Sequence, residues 1–206
     1  MSRPDPSILR VGDIIAVGCK PWAILPVSSY VISRQIQRRA KAKVSHAMMV
    51  REVGKTVETT KVAEAHYPAV RAATLDVAIP RFGTRWFVLR HKAMTPDHLP
   101  TYVGWVDAQI GEPYDLNLID SIRRAIKENG LEGAHQLRIE LARREDGSID
   151  TEGDFWICSE LCAASFHAVG LTGYYGYDPT VPIQQVYPPM PGDFLTCDLY
   201  ETIAQG

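Results

Sequence analysis

The sequence has no long apolar run. No stretch approaches the ~20 apolar residues that span a bilayer. The first residues, Met1 to Pro6, also lack the apolar core of a secretion signal. We therefore expect a cytoplasmic protein with no membrane-spanning segment.

The chain also has little net charge. Its 22 basic and 24 acidic residues give a net charge of −2, which creates no global field to attract nucleic acid. Internal repeats and low-complexity tracts are absent as well. With 206 residues and 46% hydrophobic content, the chain is long enough to bury a substantial core. We expect a single domain over residues 1–206, with insertions at about 20–43 and 130–153.

Cysteine is scarce, with four residues at positions 19, 158, 162 and 197. A chain of this length without a secretion signal is expected to keep its thiols free. Cys158 and Cys162 lie four residues apart on one helical face, which could be half of a metal site. No matching Cys or His pair completes a tetrahedral set, however. We expect neither a metal nor any other cofactor.

Hydrophobic patterning and turn residues divide the chain into strands and helices. Short connections between neighbouring strands favour antiparallel pairing. The predicted strands are Val11–Gly18, Ser45–Glu52, Thr56–Ala65, Val70–Ala78, Arg85–Arg90 and Asp193–Leu199. The predicted helices run from Thr95 to Gly111, across Leu118–Ile126 to Asn129-Gly130, and from Cys158 to Ala168. This pattern predicts an α+β fold in which a small antiparallel sheet or open barrel packs against helices.

Cys158 is the strongest candidate for chemistry. It lies where the apolar run 156–158 turns into an amphipathic helix, beside backbone N–H groups whose partial positive charge favours a thiolate. Buried cysteines are common core residues, and that simpler interpretation is preferred for Cys162. Glu160, in the first helical turn, opposes ionisation of the thiol unless its carboxylate is turned away or paired.

Two residues on predicted neighbouring strands could assist the thiol. His46 could act as the general base and Glu64 as its orienting partner, the two groups that a cysteine nucleophile requires. Each also has an ordinary interpretation, as a hydrogen-bonded structural histidine and as an exposed edge carboxylate. His66 shares the strand face of Glu64 because strand side chains alternate. It is therefore the alternative third member of the site.

A basic segment, Arg34–Lys43, follows a short predicted helix. Cations near a helix C-terminus are favoured by the helix dipole, so this segment could be an ordinary solvated face. Alternatively, it could contact an anionic ligand or lipid headgroup at a membrane surface.

Five short segments, taken in order, resemble a known family. They are Gly12-Asp13-Ile14-Ile15, Ser45-His46-Ala47, Ala63-Glu64-Ala65, Gly111-Glu112-Pro113-Tyr114-Asp115 and Cys158-Ser159-Glu160-Leu161. The family is the permuted branch of the NlpC-type papain-like cysteine hydrolases, which is YiiX-like and related to lecithin:retinol acyltransferase. In that branch the histidine strand precedes the cysteine helix. The resemblance extends from about Val11 to Leu171.

The resemblance implies a circularly permuted papain-like fold and a catalytic triad of Cys158, His46 and Glu64. It implies a hydrolase that cleaves an amide, of a peptide or a lipid, or an ester through an acyl-enzyme. The partner is then a small-molecule, peptide or lipid acyl substrate. Alternatives are an acyltransferase of the lecithin:retinol type, a non-catalytic binding module that retains the cleft, and a scaffold or phage-associated structural protein. The motifs contain three candidate substrate contacts: Tyr114, Ser45 and Ser159.

Overall fold

The computed structural model describes residues 3–18, 44–79, 85–115, 128, 157–173 and 191–206. The described strands are β1 (Ile14–Val17), β2 (His46–Glu52), β3 (Lys61–His66), β4 (Ala69–Thr74), β5 (Trp86–His91) and β6 (Tyr200–Gln205). The α-helices that lie wholly within these ranges are α1 (Leu75–Ala78), α2 (Leu99–Ala108) and α3 (Cys158–His167). All six strands form one open antiparallel sheet in the order β4-β3-β2-β1-β5-β6. The fold is therefore α+β, as the sequence predicts.

Strand β1 is the centre of the sheet. It pairs with β2 on one side and β5 on the other, and all four of its residues are buried. Ile14 and Ala16 belong to one core cluster, whereas Ile15 and Val17 belong to the cluster on the opposite face. Because both faces are covered, the strand is continuously apolar instead of alternating.

Helix α3 covers the face of the sheet formed by β2 and β3. Its residues Leu161, Cys162 and Phe166 have no exposed surface. The helix is followed by Gly170, whose φ of +77° favours glycine and whose amide bonds to the His167 carbonyl at 2.9 Å. Helix α2 packs against α3. It follows a 3-10 turn, Pro96–His98, for which Thr95 is the N-cap residue.

A buried ion pair fixes the start of β1 to β5. The Asp13 carboxylate, 1% exposed, accepts hydrogen bonds from Nε and Nη2 of Arg90, both at 2.8 Å. It also accepts a hydrogen bond from the backbone amide of Arg10 at 2.8 Å, and Arg90 donates one to the Ile8 carbonyl at 2.9 Å. These contacts connect the segment before β1 to the sheet. They also supply hydrogen-bond donors to both oxygens of the Asp13 carboxylate.

Two predicted strands are shorter in the structure. The amides of Thr59 and Thr60 bond to the Thr56 carbonyl in a turn, so β3 begins only at Lys61. The predicted strand Val70–Ala78 ends at Thr74, and Leu75–Ala78 form α1 instead. Leu75 and Ala78 pack into the second core cluster as a helical turn, so tertiary burial outweighs local strand propensity there.

The predicted strand Asp193–Leu199 is wrong. Asp193–Leu195 form a 3-10 turn closed by the Thr196 amide on the Asp193 carbonyl at 3.1 Å. The last strand, β6, follows it and pairs with β5.

Several predictions lie outside the described residues. These are the helix across Leu118–Ile126, the insertions 20–43 and 130–153, the basic segment Arg34–Lys43, and Cys19. Within the ranges that are described, no helix has both the length and the apolar character needed to cross a membrane.

Candidate active site

Cys158 is the first residue of α3 and is only 8% exposed. The preceding residue, Ile157, is extended, so the chain changes from extended to helical conformation at the cysteine. The backbone amides of Ser159 and Ala47 donate hydrogen bonds to the sulfur. Ala47 is in β2, which pairs with β3 only from Met49 onward. The two strands are therefore unpaired at the end of the sheet that faces the thiol.

His46 is the first residue of β2 and lies between the thiol and a carboxylate. Its Nε2 atom is 2.5 Å from Oε2 of Glu64. Its side chain also hydrogen-bonds with that of Cys158. Because Nε2 is occupied by the carboxylate, Nδ1 is the nitrogen left for the sulfur. The imidazole is 18% exposed, so the ring is partly accessible to solvent.

Glu64 is held from two sides. It is in β3 and is 1% exposed. Its Oε2 atom contacts His46, whereas Oε1 accepts hydrogen bonds from Nε and Nη2 of Arg71 at 2.8 and 2.7 Å. Arg71 is in β4, directly opposite Glu64 in the antiparallel register. A buried carboxylate is stable when it is paired and hydrogen-bonded in this way.

These contacts set the charges of the site. Burial tends to raise the pKa of Cys158, but the charge and hydrogen bond of His46 and the two amides outweigh it, so that pKa is lowered. Burial tends to lower the pKa of His46, yet Cys158 and Glu64 raise it well above its ordinary value. For Glu64, burial is opposed by His46 and Arg71, which bring its pKa down to about 2. Each of these shifts favours the charged form of its group, which is the thiolate for Cys158, the imidazolium for His46 and the carboxylate for Glu64. Such an arrangement can support nucleophilic attack and proton transfer.

Glu160 does not oppose the thiolate in the way that its position in the sequence suggests. Its Oε2 atom is 3.5 Å from the amide nitrogen of Ile157, the residue before the helix. The carboxylate is therefore turned back to the N-terminus of its own helix, a common capping arrangement.

Each predicted substrate contact lies next to a residue of the site or packs against its core cluster. Tyr114 packs against the core cluster that contains Cys158, and both its burial and the charge of Cys158 raise its pKa. Ser159, 1% exposed, follows the cysteine directly and contributes the amide described for the sulfur. Ser45, 6% exposed, precedes His46, and its amide bonds to the Val17 carbonyl at 2.8 Å. Their contact with substrate stays a prediction.

Glu64 and His66, the two candidates for the residue that orients His46, contact its ring differently. The His66 ring is perpendicular to that of His46 at a centroid distance of 6.3 Å, and its Nδ1 atom is 3.0 Å from the Tyr67 carbonyl. Glu64, by contrast, contacts Nε2 of His46 directly. Cys162 and Cys197 belong to the core cluster, and burial raises the pKa of each thiol.

Sequence reasoning missed Arg71, although a signal for it exists. The residues Tyr67-Pro68 form a tight connection between β3 and β4, and pairing across that turn places residue 71 opposite residue 64. Given a buried glutamate at 64, a long cation at the facing position would be expected to pair with it.

The described residues also allow a test for a metal centre. Across 3–18, 44–79, 85–115, 157–173 and 191–206, no group of three or more His, Cys, Asp or Glu side chains could hold a metal ion.

Comparison with known proteins identifies the fold. No family model matches the chain, and no curated protein does either. The chain is similar to a solved structure, the crystal structure of metalloprotein yiiX from Escherichia coli O157:H7, with a TM-score of 0.58 and 17% sequence identity. The match covers 96% of this chain and 97% of that chain. At this identity the likeness concerns the fold alone, and the chain has a YiiX-like α+β fold.

Proposed function

We propose that the protein is a thiol-dependent hydrolase of the permuted NlpC-type papain-like class, which cleaves an amide or ester bond through an acyl-enzyme. One observation carries the proposal: the Cys158 thiol shares a hydrogen bond with His46, whose Nε2 atom lies 2.5 Å from Glu64. The order of the elements also supports it, since the histidine strand precedes the cysteine helix.

The reaction begins with the Cys158 thiolate attacking the carbonyl carbon of the substrate. Backbone N–H groups at the start of α3, that of Cys158 among them, stabilise the oxyanion that forms. His46 then gives its proton to the leaving amine or alcohol, the bond to that group breaks, and a thioester remains. In the second half, neutral His46 takes a proton from water, which attacks the thioester and releases the acid, leaving the Cys158 thiolate and the His46 imidazolium. Glu64 orients the imidazole and stabilises its charged form.

The acceptor of the acyl group decides between two outcomes of the same chemistry. Water gives a hydrolase, whereas an amine or alcohol gives an acyltransferase. Product analysis by mass spectrometry in the presence of added acceptors separates the two, because the hydrolase releases only free acid. The substrate panel should include peptide amides, lipid amides and acyl esters, since each contains the carbonyl that the thiolate needs.

A metal-dependent function is the competing idea, because yiiX is described as a metalloprotein. In the described ranges of this chain no group of three or more ligating side chains could hold a metal. Cys158, His46 and Glu64 are instead engaged with one another in sequence. The proposed mechanism therefore assigns no step to a metal ion.

The proposal is tested by replacing the thiol. Cys158→Ala should abolish turnover of the responsive substrate, while Cys162→Ala should retain it. Cys162 is the matched control because it is four residues further along the same helix and has no exposed surface. A thiol-directed acyl probe should label Cys158 and leave a thioester adduct detectable by mass spectrometry. Wild-type turnover in a folded Cys158→Ala protein would end the proposal.

A further inference from the structure

We propose that Arg71 is a positioning residue of this site, which holds the Glu64 carboxylate so that one oxygen is always presented to His46. This inference rests on the proposed function, because it assigns Arg71 a part in supporting the Cys158 nucleophile. It extends the site by one member beyond the three residues that the sequence motifs indicate.

The hydrogen bonds divide the two oxygens of Glu64 between two partners. Nε and Nη2 of Arg71 both donate to Oε1, at 2.8 and 2.7 Å. Oε2 is therefore left to His46, which it meets at 2.5 Å. A carboxylate bound at only one oxygen can rotate about its terminal bond, since that torsion is broad. The guanidinium prevents this rotation and fixes the direction in which Oε2 points.

The charge on His46 changes during the reaction, and this is why a second cation matters. When the imidazolium gives up its proton, the Glu64 carboxylate loses a charged partner while it is only 1% exposed. An uncompensated buried carboxylate is costly. A guanidinium is a fixed cation in proteins. Arg71 therefore compensates Glu64 in both protonation states of His46.

The position of Arg71 makes it a positioning residue and not a catalytic one. It faces Glu64 across the β3–β4 ladder, and its side chain is 42% exposed. Its described hydrogen bonds go to Glu64 and not to the sulfur. Arg71 therefore acts on the thiol without touching it, by positioning Glu64 and by the positive charge that it places beside the site.

The test compares Arg71→Gln and Arg71→Lys with a matched control, Arg51→Gln. Arg51 also binds a carboxylate through Nε and Nη2, in this case that of Asp107. It lies five residues along β2 from His46, roughly 17 Å at strand spacing. Three quantities are measured: kcat, KM, and the pH dependence of Cys158 alkylation by iodoacetamide.

We expect Arg71→Gln to lower kcat about tenfold with little change in KM, as is typical when a supporting partner of a functional histidine is lost. The acid limb of the alkylation profile should move to higher pH, because removing a cation makes the neighbouring groups hold their protons more tightly. Arg71→Lys keeps the charge but loses the paired geometry. It should therefore restore the acid limb and recover only part of kcat.

Three results would overturn the inference. The first is wild-type kcat and an unshifted acid limb in Arg71→Gln, which leaves the hydrolase proposal intact. The second is an equal loss in Arg51→Gln, since the effect would then be general. The third applies if Arg71→Gln does not fold: a kcat of Arg71→Lys equal to that of the wild type would then overturn the inference, because the lost pairing geometry would have had no effect. Failure of the proposed function looks different, because wild-type Cys158 would itself alkylate as an ordinary thiol and Arg71 would have no thiolate to support.

Discussion

The Nε2 atom of His46 lies 2.5 Å from Oε2 of Glu64, between strands β2 and β3. The pairing of these strands begins only at Met49 and Ala63, so the two side chains meet where the strands have separated. Cys158, at the start of α3, approaches the same imidazole. The carboxylate therefore contributes both to the folded state and to the charge of the candidate nucleophile.

Replacing Glu64 by glutamine should reduce kcat on the order of 100-fold, because the neutral amide cannot stabilise the imidazolium. Glu64 is one of the groups that raise the pKa of His46, so its removal lowers that pKa. The alkaline limb of the pH profile of kcat/KM should consequently move to lower pH. A profile with its alkaline limb in the wild-type position would contradict this role.

Replacing His66 by alanine should change kcat less than about threefold, which corresponds to under about 0.7 kcal/mol. The His66 ring stands perpendicular to that of His46, and its Nδ1 atom is engaged near the Tyr67 carbonyl. Steady-state kinetics of His66→Ala and Glu64→Ala, measured side by side, check the assignment. A larger loss in the His66 variant would make His66 the third member instead.

The Glu64 carboxylate should make folding stability depend on acid pH. Its pKa is about 2 in the folded protein, below the ordinary value of 4.5. The unfolded state therefore binds the proton first, and stability is lost as pH falls from about 4.5 towards 2. The lowered pKa contributes on the order of 3 kcal/mol to the free energy of unfolding at neutral pH. Urea unfolding of the wild type and Glu64→Gln between pH 7 and pH 3 measures it. The stability difference between them should shrink with decreasing pH, and a constant difference would argue against it.

Replacing Arg90 by glutamine should destabilise the fold without altering the thiol. The substitution leaves the Asp13 carboxylate buried with only the Arg10 amide among its described partners, at 2.8 Å. Breaking a buried ion pair in this way costs about 3 kcal/mol. Chemical denaturation measures the loss, and alkylation of Cys158 in the folded variant should keep its wild-type pH dependence. A loss below about 1 kcal/mol would mean that this pair adds little to stability.

The sequence predicts the centre of the molecule better than its edges. The continuous apolar run of β1 indicates a strand buried on both faces, and both faces are covered. Cys158 is predictable because the helix start shows in the local pattern. The end of β4 at Thr74 is not, because the turn Leu75–Ala78 is stabilised by burial against distant residues. Strand β6 was missed for a similar reason, since its last residues are partly exposed and its pairing with β5 is long-range.

The candidate site shows the same division. His46 and Glu64 are suggested by residue type and strand order, but which carboxylate or ring faces the imidazole depends on how far β2 and β3 pair. Arg71 depends on the register of the following hairpin. The Glu160 carboxylate points back to the Ile157 amide because of its rotamer, which no sequence pattern determines. Contacts that depend on register and rotamer therefore need coordinates.

Alkylation of the wild-type protein by iodoacetamide as a function of pH, with each modified cysteine identified by mass spectrometry, tests the central claim most directly. His46 and two backbone amides lower the pKa of Cys158, whereas burial raises those of Cys162 and Cys197. Cys158 should therefore react before Cys162 and Cys197, with a midpoint below the ~8.5 of a free thiol. A midpoint at or above that of a free thiol, or reaction of Cys162 before Cys158, would contradict the account.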